Sequence, residues 1–337
     1  MKILENYDLK SLNTFGVPAK AKLFTEIEKE LDFKELVATP EFKQNDKLFL
    51  GGGSNVLFTR DFPGIVVLNK LTGIEVLEDT EDHLVIRSMS GVVWHDLVLF
   101  AVERGAWGIE NLSLIPGTVG AAPMQNIGAY GAEFKHALDS VEAYSVETGE
   151  KRTFSKEECE LGYRDSVFKN SLKGKYFITA VTIRLQKKES KNLTYRVLQD
   201  HLERNKITVT GPKDISDAVA EIRRSKLPDP KVTGNAGSFF KNVFVDEAKL
   251  KELQKTYPEI PFFEEDNGVK IPSGWLIEQS GWKGKRVGNV GVHDRQALVL
   301  VNHGGATGAE IKDLAEQIIK AVYDKFGLKL APEVNFI

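Results

Sequence analysis

Residues 115–131 form an uncharged segment, I-P-G-T-V-G-A-A-P-M-Q-N-I-G-A-Y-G, which contains four glycines and two prolines. Both residue types interrupt helices and strands, so the segment cannot form either over its length. Such backbone is costly to order, because glycine loses the most conformational freedom on folding. We therefore predict that its main chain lies against a large, flat and only partly polar partner. A buried structural loop between two layers is an equally good interpretation at this point.

A second glycine loop, residues 51–55, follows a short apolar strand predicted at 47–50. Consecutive N–H groups in such a loop can converge on a phosphate. The loop is not a Walker A motif, because the Gly-Lys-Ser/Thr triplet is absent. It is not a Rossmann fingerprint either, because Val56 stands where the third glycine belongs. Phosphate contact and a structural turn both remain open from this loop alone.

Composition restricts the class of protein. The chain has 337 residues, 42% of them hydrophobic, which is enough for two or three domains. Its net charge of −3 argues against general nucleic-acid binding. The single cysteine, Cys159, excludes an internal disulfide, and its acidic neighbours disfavour a reactive thiolate. The six histidines form no closely spaced pair, so we predict no metal site.

The sequence also bears on localisation. The first residues lack the apolar core of a signal peptide. Residues 111–132 are uncharged and long enough to span a membrane, but their prolines, glycines and amide side chains argue against that. We expect a cytoplasmic bacterial protein that does not associate with membranes.

Hydrophobic periodicity predicts a chain of mixed helices and strands. Residues 187–213 are polar and weakly periodic, which indicates a boundary or a mobile excursion. Trp94 and Trp107 are predicted to be core residues. The predicted strands are 20–27, 47–50, 64–68, two within 73–90, a hairpin at 140–154, 175–185, 297–302 and a terminal extension in 330–337. The predicted helices are 28–38, 92–104, 214–226, 246–256 and 308–325, the last with a capping box at Thr307 and Glu310.

Three side chains stand in settings that suit chemistry. Ser238 lies in G-N-A-G-S-F-F, where small neighbours give access and two phenylalanines exclude water, so its hydroxyl could transfer a proton. Arg164 lies in G-Y-R-D-S, and its guanidinium suits a carboxylate. Glu333 lies in an apolar stretch that favours its protonated form. A turn serine, a structural arginine and a solvent-facing edge charge are the alternatives, and local sequence slightly favours each.

Six segments, in order and over essentially the whole chain, closely resemble the UDP-N-acetylenolpyruvoylglucosamine reductase family. They are L-G-G-G-S-N (50–55), I-P-G-T-V-G-A-A-P-M-Q-N-I-G-A-Y-G (115–131), G-Y-R-D-S-V-F-K (162–169), K-L-P-D-P-K (226–231), G-N-A-G-S-F-F-K-N (234–242) and P-E-V-N-F-I (332–337). The polar excursion around Tyr195 is similar to the tyrosine-bearing substrate loop of the longer-chain type of this family.

The resemblance implies an α+β fold, the FAD-binding fold of the vanillyl-alcohol oxidase and PCMH type. The implied architecture consists of two FAD-binding subdomains and, in addition, a smaller α/β substrate-binding domain. The expected boundaries are 1–70 for the first subdomain, 71–213 for the second and 214–326 for the substrate-binding domain. A terminal strand within 327–337 is expected to join the first subdomain.

The resemblance also implies an NADPH-dependent flavoenzyme that reduces UDP-N-acetylglucosamine enolpyruvate to UDP-N-acetylmuramate in peptidoglycan precursor synthesis. In that reaction a hydride from flavin N5 adds to C3 of the enolpyruvyl group, and Ser238 delivers a proton to C2. Arg164 and Glu333 would stabilise the enolate, Glu333 as a protonated hydrogen-bond donor. The implied partners are the UDP-sugar and NADPH, without nucleic acid or membrane, and we expect a monomer.

The resemblance assigns binding residues as well. We expect noncovalent FAD, because Ser54 stands where some relatives carry a flavin-linked histidine. Lys226 and Asn242 are expected to contact the diphosphate and sugar, with Tyr195 and Gln296 as further substrate-binding candidates. The expected FAD contacts are Gly51, Gly52, Gly53, Ser54, Asn55, Pro116, Gly117, Thr118, Gly120, Ala121, Asn126, Gly128 and Ala129.

Two other functions compete with this hypothesis. One is a flavin oxidase that uses oxygen, against which Ser54 and the three candidate catalytic residues argue. The other is a noncatalytic protein that binds a UDP-sugar or a flavin, and the intact set of Arg164, Ser238 and Glu333 argues against it. The visible absorption spectrum of the purified protein would detect the flavin directly.

Overall fold

The computed structural model describes residues 1–265 and 268–337, and within them the chain divides into two compact units. The first unit consists of Met1–Tyr7, Ala21–Gly52 and Phe62–Ser225. The second consists of Asp8–Lys20, Gly53–Asp61 and Lys226–Ile337. The three-part division expected from the sequence stays a prediction.

The described residues form eight α-helices. They are α1 (Glu30–Ala38), α2 (Pro40–Gln44), α3 (Trp94–Val102), α4 (Arg196–Arg204), α5 (Pro212–Lys226), α6 (Glu247–Thr256), α7 (Ser273–Gln279) and α8 (Gly308–Phe326).

Most of the strands are short. They are β1 (Leu4–Asp8), β2 (Lys20–Ile27), β3 (Lys47–Leu50), β4 (Val56–Leu57), β5 (Phe62–Asn69), β6 (Ile74–Asp79), β7 (His83–Met89), β8 (Gly128–Ala129), β9 (Ala132–Glu133), β10 (Leu138–Ser145), β11 (Lys151–Ser155), β12 (Tyr176–Gln186), β13 (Val243–Val245), β14 (Phe263–Glu265), β15 (Gly268–Ile271), β16 (Arg286–Val287), β17 (Val290–Val292), β18 (Leu300–Asn302) and β19 (Asn335–Phe336).

Two sheets build the first unit. One has the order β1-β2-β5-β3, and its β5 runs parallel to both β2 and β3. The other has the order β11-β10-β12-β7-β6 with antiparallel neighbours throughout. A parallel sheet with α1 and α2 beside a separate antiparallel sheet is an α+β arrangement.

The five-stranded sheet carries the main core of the first unit. Its central strand, β12, has an almost unbroken run of buried residues, because both of its faces are covered. Trp94 of α3 belongs to the core cluster beside this sheet, and Trp107 belongs to a cluster that includes residues of α4 and α5. Both tryptophans are buried, as predicted.

The second unit contains small sheets and helices α6, α7 and α8. Its sheets have the orders β13-β15-β14 and β16-β17-β18, and β4 pairs in parallel with β19. The longest helix, α8, begins with the predicted capping box, in which Thr307 and Glu310 satisfy each other's backbone N–H groups. It ends at Gly327, whose left-handed conformation (φ 65°) suits glycine.

The predicted elements in these units are present, several with shifted ends. The strand predicted at 297–302 is confined to β18, and the terminal extension forms only β19. The polar stretch 187–213 contains α4, a helix that the sequence analysis did not predict. Leu198 and Leu202 lie one helical turn apart on α4 and are buried. Among the described helices, none combines the length and apolar character needed to cross a membrane.

Glu142 on β10 is the centre of a charge network in the five-stranded sheet. Arg87 of β7 donates to its carboxylate from Nε at 2.5 Å and from Nη2 at 2.7 Å. Lys151 of β11 lies 2.7 Å from the same carboxylate and 2.8 Å from Glu30. The Arg87 guanidinium, with help from Lys151, lowers the pKa of Glu142 to about 2 against the opposing effect of burial.

This network makes the stability of the first unit pH-dependent. Because the Glu142 pKa is depressed from 4.5 to about 2, the ionised pair stabilises the fold above pH 4.5 and the stabilisation disappears as pH falls toward 2. We expect Glu142→Gln to lower the free energy of unfolding by about 2–3 kcal/mol at neutral pH. The difference from wild type should shrink in acid, which urea titrations at a series of pH values would measure.

Glu158→Gln is the matched control. Glu158 pairs with Arg152 at 2.7 Å, but both side chains are about half exposed, and exposed pairs contribute only about 0–1 kcal/mol. An effect of Glu142→Gln that is the same at neutral and acid pH would show that the charge of Glu142 is not responsible.

Candidate active site

The two glycine loops approach each other closely within the first unit. A Cβ atom at Gly51 would lie 2.5 Å from Thr118 Oγ1, and one at Gly52 would lie 3.1 Å from the Cα of Gly117. A side chain at position 51 would therefore overlap the Thr118 side chain, and one at position 52 would be crowded against the main chain of Gly117. The absence of a Cβ is what allows the two main chains to form one surface.

Backbone hydrogen bonds fix residues 115–131, which we call the flavin loop, against α3 and the strand before it. The N–H of Trp94 donates to the carbonyl of Gly117 at 3.0 Å, and its indole N–H donates to Leu112 at 2.9 Å. The N–H of Gly120 donates to Ser90 at 2.8 Å, where a Cβ on the glycine would come within 2.6 Å of the Ser90 Cβ. The loop is thus an ordered, closely fitted structure.

The end of the flavin loop is a tight hairpin between β8 and β9. Its two central residues, Tyr130 and Gly131, have φ angles of 48° and 81°. Positive φ at both positions is the requirement of a type I′ turn, which a non-glycine residue adopts at some cost. Asn126, with φ 45°, is also left-handed. Strained backbone of this kind is concentrated at functional loops.

Arg164 lies against the flavin loop. Its Nη2 donates to the carbonyl of Gly128 at 2.6 Å and its Nη1 to that of Asn126 at 3.3 Å. Asn126 is fully buried, and its side chain bonds to the main chain of Gly162 (2.9 Å) and Lys135 (2.9 Å). The Asn126 side chain is therefore engaged within the protein, and its expected contact with FAD stays a prediction.

The sequence analysis did not single out Arg223 of α5 and His95 of α3, which both contact Leu114, the residue directly before the flavin loop. The Nε of Arg223 donates to the Leu114 carbonyl at 3.2 Å, and Nδ1 of His95 accepts from the Leu114 N–H at 3.1 Å. Burial lowers the pKa of Arg223, and Tyr130 partly opposes this. No described carboxylate forms an ion pair with Arg223. The available signal was its position four residues after the buried Val219, which places Arg223 on the inner face of α5.

Tyr195, a substrate-binding candidate, is the N-cap residue of α4. The residue is 44% exposed, and its ring meets the Tyr130 ring edge to face, with centroids 5.3 Å apart. The tyrosine that was assigned from the polar excursion therefore lies beside the turn of the flavin loop.

In the second unit, Ser238 lies in an extended segment between two others. It forms an antiparallel bridge with Val299, and the N–H of Phe239 donates to Leu298 at 2.8 Å. On the other side, the N–H of Glu333 donates to the carbonyl of Phe239 at 2.8 Å. Phe239 and its neighbour Phe240 are fully buried, whereas Ser238 is exposed. The structure thus brings Ser238 and Glu333 onto adjacent strands.

A turn built around Asn235 presents Ser238. Asn235 is buried, its side-chain N–H groups donate to the carbonyls of Pro228 and Thr233, and its Oδ1 accepts from the N–H of Gly237 at 2.9 Å. Gly237 has φ 67°, a conformation that glycine adopts without strain. The sequence predicted a turn serine or a catalytic serine; the turn ends at Gly237, Ser238 forms the bridge that follows it, and the catalytic role stays a prediction.

The last residues of the second glycine loop, 53–55, contact the segment of the second unit that carries Glu333. Asn55 Nδ2 donates to the carbonyl of Glu333 at 3.4 Å, and the Asn55 carbonyl accepts from the N–H of Asn335 at 3.1 Å. Gly53 has φ 62°, and a Cβ there would lie 1.9 Å from the Leu12 carbonyl. Residues 53–55 therefore hold the segment that carries Glu333.

Two of the substrate-binding candidates flank Ser238. Asn242 lies four residues after it, and its Oδ1 accepts from the N–H of Ser273 at the start of α7 at 3.1 Å. Gln296 precedes the segment that pairs with Ser238, and its Oε1 accepts from the N–H of Leu298 at 3.3 Å. Lys226 is the last residue of α5 and also belongs to the second unit. Arg164 and Tyr195 belong to the first unit.

Other chemistries find little support. The part of the chain that the structure describes contains no group of three or more histidine, cysteine or carboxylate side chains suited to a metal ion. Burial raises the pKa of the Cys159 thiol to about 12, so it is not a thiolate at neutral pH. The glycine cradle, with its uncharged main chain and the nearby Arg223, fits a flat cofactor that carries anionic groups.

Comparison with known proteins agrees with this site. Residues 21–155 match the family described as FAD binding domain, and residues 229–337 match UDP-N-acetylenolpyruvoylglucosamine reductase, C-terminal domain. The chain is 49% identical to the UDP-N-acetylenolpyruvoylglucosamine reductase of Amoebophilus asiaticus, over 100% of both chains. It is 45% identical to that of Flavobacterium johnsoniae, again over 100% of both. The corresponding Chromobacterium violaceum protein is 47% identical, over 97% of this chain and 96% of the relative.

A solved structure of similar fold is that of the UDP-N-acetylenolpyruvylglucosamine reductase (MurB) from Thermus caldophilus. The TM-score is 0.66 at 22% identity, over 99% of this chain and 98% of that one. The fold, the glycine cradle and the matched domain define an FAD-binding oxidoreductase. The predicted fold class and FAD are confirmed. Within that class, the chain belongs to the UDP-N-acetylenolpyruvoylglucosamine reductase family, as the sequence analysis predicted.

The close approach of the two loops gives a direct test of the cradle. Gly51→Ala places a methyl group 2.5 Å from Thr118 Oγ1 and must displace the Thr118 side chain or the loop that carries it. Overpacking of this kind costs about 1–3 kcal/mol, so we expect FAD to bind about tenfold more weakly or worse. Titration of the apoprotein with FAD, followed by flavin fluorescence, measures this change.

Gly211→Ala is the control, because a Cβ at Gly211 would meet no atom within 4 Å. It should bind FAD like the wild type. Unchanged FAD affinity in Gly51→Ala would mean that this contact between the loops does not shape the cofactor site.

Proposed function

We propose that this protein reduces UDP-N-acetylglucosamine enolpyruvate to UDP-N-acetylmuramate, with NADPH as the reductant, in peptidoglycan precursor synthesis. The observation that carries the proposal is the 49% identity over the full length of a reductase with this name. The adjacency of Ser238 and Glu333 supports it, because the reaction needs both a proton donor and a group that faces the carboxylate.

FAD would be held by the glycine cradle of residues 51–52 and 117–118, with Arg164 and Arg223 supplying positive charge beside the flavin loop. Ser54 offers no histidine-type attachment, so binding would be noncovalent. Of the expected contacts, Pro116 and Ala121 are exposed and Ala129 is half-buried, so a ligand can reach them. Once NADPH has reduced it, the bound flavin would supply the hydride, from N5 to C3 of the enolpyruvyl group, and would return to its oxidised form.

The residues of this chain would handle charge and protons. Hydride addition at C3 leaves negative charge at C2 and on the carboxylate. The Arg164 guanidinium suits that carboxylate because its two parallel N–H groups match two oxygens. Glu333, held next to Ser238 by the hydrogen bond to Phe239, would donate a hydrogen bond to the same group when protonated.

Ser238 would complete the reaction by giving its hydroxyl proton to C2. Its exposed side chain projects from a segment fixed on both sides by backbone hydrogen bonds, so the backbone position from which the hydroxyl extends is fixed. A positioned proton donor of this kind contributes about 10²–10⁴ in rate.

The UDP-sugar would be bound by Lys226, Asn242, Tyr195 and Gln296. A lysine and a tyrosine hydroxyl suit diphosphate oxygens, and the two amides suit sugar hydroxyls. We further propose a cytoplasmic monomer, since the reductant and the UDP-sugar are cytoplasmic metabolites of that reaction and no membrane or nucleic acid takes part.

The proton-donor role and the overall activity can be tested together. The wild type with NADPH and UDP-N-acetylglucosamine enolpyruvate should form UDP-N-acetylmuramate, detected by mass spectrometry as the gain of a hydrogen pair. In Ser238→Ala, NADPH should still bleach the flavin absorbance, while substrate turnover falls by about two to four orders of magnitude.

Ser280→Ala is the matched control, because the Ser280 hydroxyl only donates to the Leu276 carbonyl on α7. Loss of flavin bleaching in Ser238→Ala would contradict the assigned role. Failure of the wild type to form product would contradict the proposed function itself, and rapid oxygen consumption would favour an oxidase.

Arg164 has two possible roles that one substitution separates. Its contacts with Asn126 and Gly128 make it a support of the flavin loop, whereas its proposed role is to bind the substrate carboxylate. We expect Arg164→Lys to keep FAD bound but to lower turnover by about 10²-fold, because an ammonium group cannot match two oxygens in parallel. Steady-state kinetics and the flavin-to-protein absorbance ratio measure both quantities.

Arg104→Lys serves as the control, since the exposed Arg104 donates to the Phe100 carbonyl and stacks on its ring. Near-normal turnover in Arg164→Lys would rule out the two-pronged role. Loss of FAD without a change in turnover per bound flavin would assign Arg164 to loop support alone.

A further inference from the structure

Residues 192–195, which we call the Tyr195 segment, lie directly against the turn at residues 130–131 in the first unit. The contact is made by hydrogen bonds from two asparagine side chains, those of Asn111 and Asn192. Neither asparagine was identified from the sequence as a functional residue.

Asn111 connects the flavin loop to the Tyr195 segment. Its Nδ2 donates to the carbonyl of Tyr130 at 2.8 Å and to the carbonyl of Asn192 at 2.9 Å. One amide group thus binds the flavin loop and the Tyr195 segment at the same time. Asn111 is 1% exposed, so water competes little for these two bonds.

Asn192 makes the second connection. Its Nδ2 donates to the carbonyl of Gly131 at 2.9 Å, and its Oδ1 accepts from the hydroxyl of Thr194 at 2.8 Å. A Cβ at Gly131 would lie 2.9 Å from that hydroxyl. The Tyr195 segment therefore occupies the space that the glycine of the turn leaves open.

These bonds determine where Tyr195 stands. Leu193 and Tyr130 pack against the same apolar cluster, and the Tyr195 carbonyl accepts the N–H of Leu198 in the first turn of α4. The Tyr195 ring then meets the Tyr130 ring edge to face. Although its backbone is held this firmly, the residue as a whole is 44% exposed. Tyr195 therefore combines a fixed backbone with a surface that a ligand can reach.

We propose that Asn111 and Asn192 are positioning residues, which hold Tyr195 in its substrate-binding place and tie that place to the flavin loop. This inference rests on the proposed function, in which Tyr195 contacts the UDP-sugar. The three acceptors of these hydrogen bonds are main-chain carbonyls. Tyr130 and Gly131 belong to the flavin loop, and Asn192 belongs to the Tyr195 segment. A shift of the flavin loop therefore moves the Tyr195 segment with it, and FAD binding and substrate binding are coupled.

Asn192→Ala tests the positioning role, because Asn192 is only half-buried and its loss should leave the fold intact. We expect the KM for the UDP-sugar to rise about three- to tenfold, the loss expected for one net hydrogen bond, with kcat nearly unchanged. Amide hydrogen exchange at residues 190–195 should be slowed by FAD in the wild type, and this protection should be lost in the variant.

Asn205→Ala is the matched control. Asn205 lies at the other end of α4, where its amide donates to the His201 carbonyl at 2.8 Å and does not touch the flavin loop. It should change neither KM nor FAD-dependent exchange. Asn111→Asp, which removes the buried donor at constant shape, should weaken exchange protection in the same way if the variant folds.

A double-mutant cycle separates this inference from the proposed function. If Asn192 acts through Tyr195, Asn192→Ala should add nothing to the KM of Tyr195→Ala. Additive effects, or FAD-dependent protection that survives in Asn192→Ala, would overturn the positioning role. If Tyr195→Ala leaves KM unchanged, the substrate-binding role of Tyr195 is wrong. The hydrogen-exchange experiment then still tests whether FAD binding orders the Tyr195 segment through Asn192.

Discussion

The close approach of the two glycine loops in the first unit is the contact on which the cofactor site depends. A side chain would overlap Thr118 at position 51 and would be crowded against Gly117 at position 52, so the surface consists largely of main chain. Such a surface has N–H groups to offer and few side chains that could rearrange. It therefore binds a flat molecule without much loss of conformational entropy on binding, because that loss has already occurred on folding.

A surface without charged side chains must obtain its positive charge from elsewhere. Arg164 and Arg223 supply it, one from a turn after β11 and the other from α5. Arg164 donates to a carbonyl of the flavin loop, and Arg223 donates to the carbonyl of Leu114 directly before it. The same bonds that fix the arginines therefore fix the loop. This explains how an uncharged, glycine-rich segment can be ordered. It also means that a substitution at either arginine can change the amount of bound flavin as well as the reaction rate, so both quantities must be measured.

Much of the fold follows from local sequence, whereas parts of the site do not. The capping box at Thr307 and the apolar, β-branched sequence of β12 are local signals, and both elements formed close to their predicted bounds. Ser238, Arg164 and Glu333 were proposed because motifs surround them, and their roles stay predictions. Helix α4 was missed, since its two buried leucines are outnumbered by polar residues. Asn111, Asn192 and Arg223 carry no motif, and their roles depend on contacts with residues far away in the sequence.

The two buried phenylalanines that follow Ser238 also determine the register in which this segment pairs. Phe239 and Phe240 are both fully buried, while the serine before them faces outward. If this segment paired with residues 298–299 one position out of register, each side chain would turn to the opposite face. The serine would become buried and a phenylalanine would be exposed to water, at a cost of about 2 kcal/mol or more. Hydrophobic burial thus selects the single register in which the hydroxyl group is accessible.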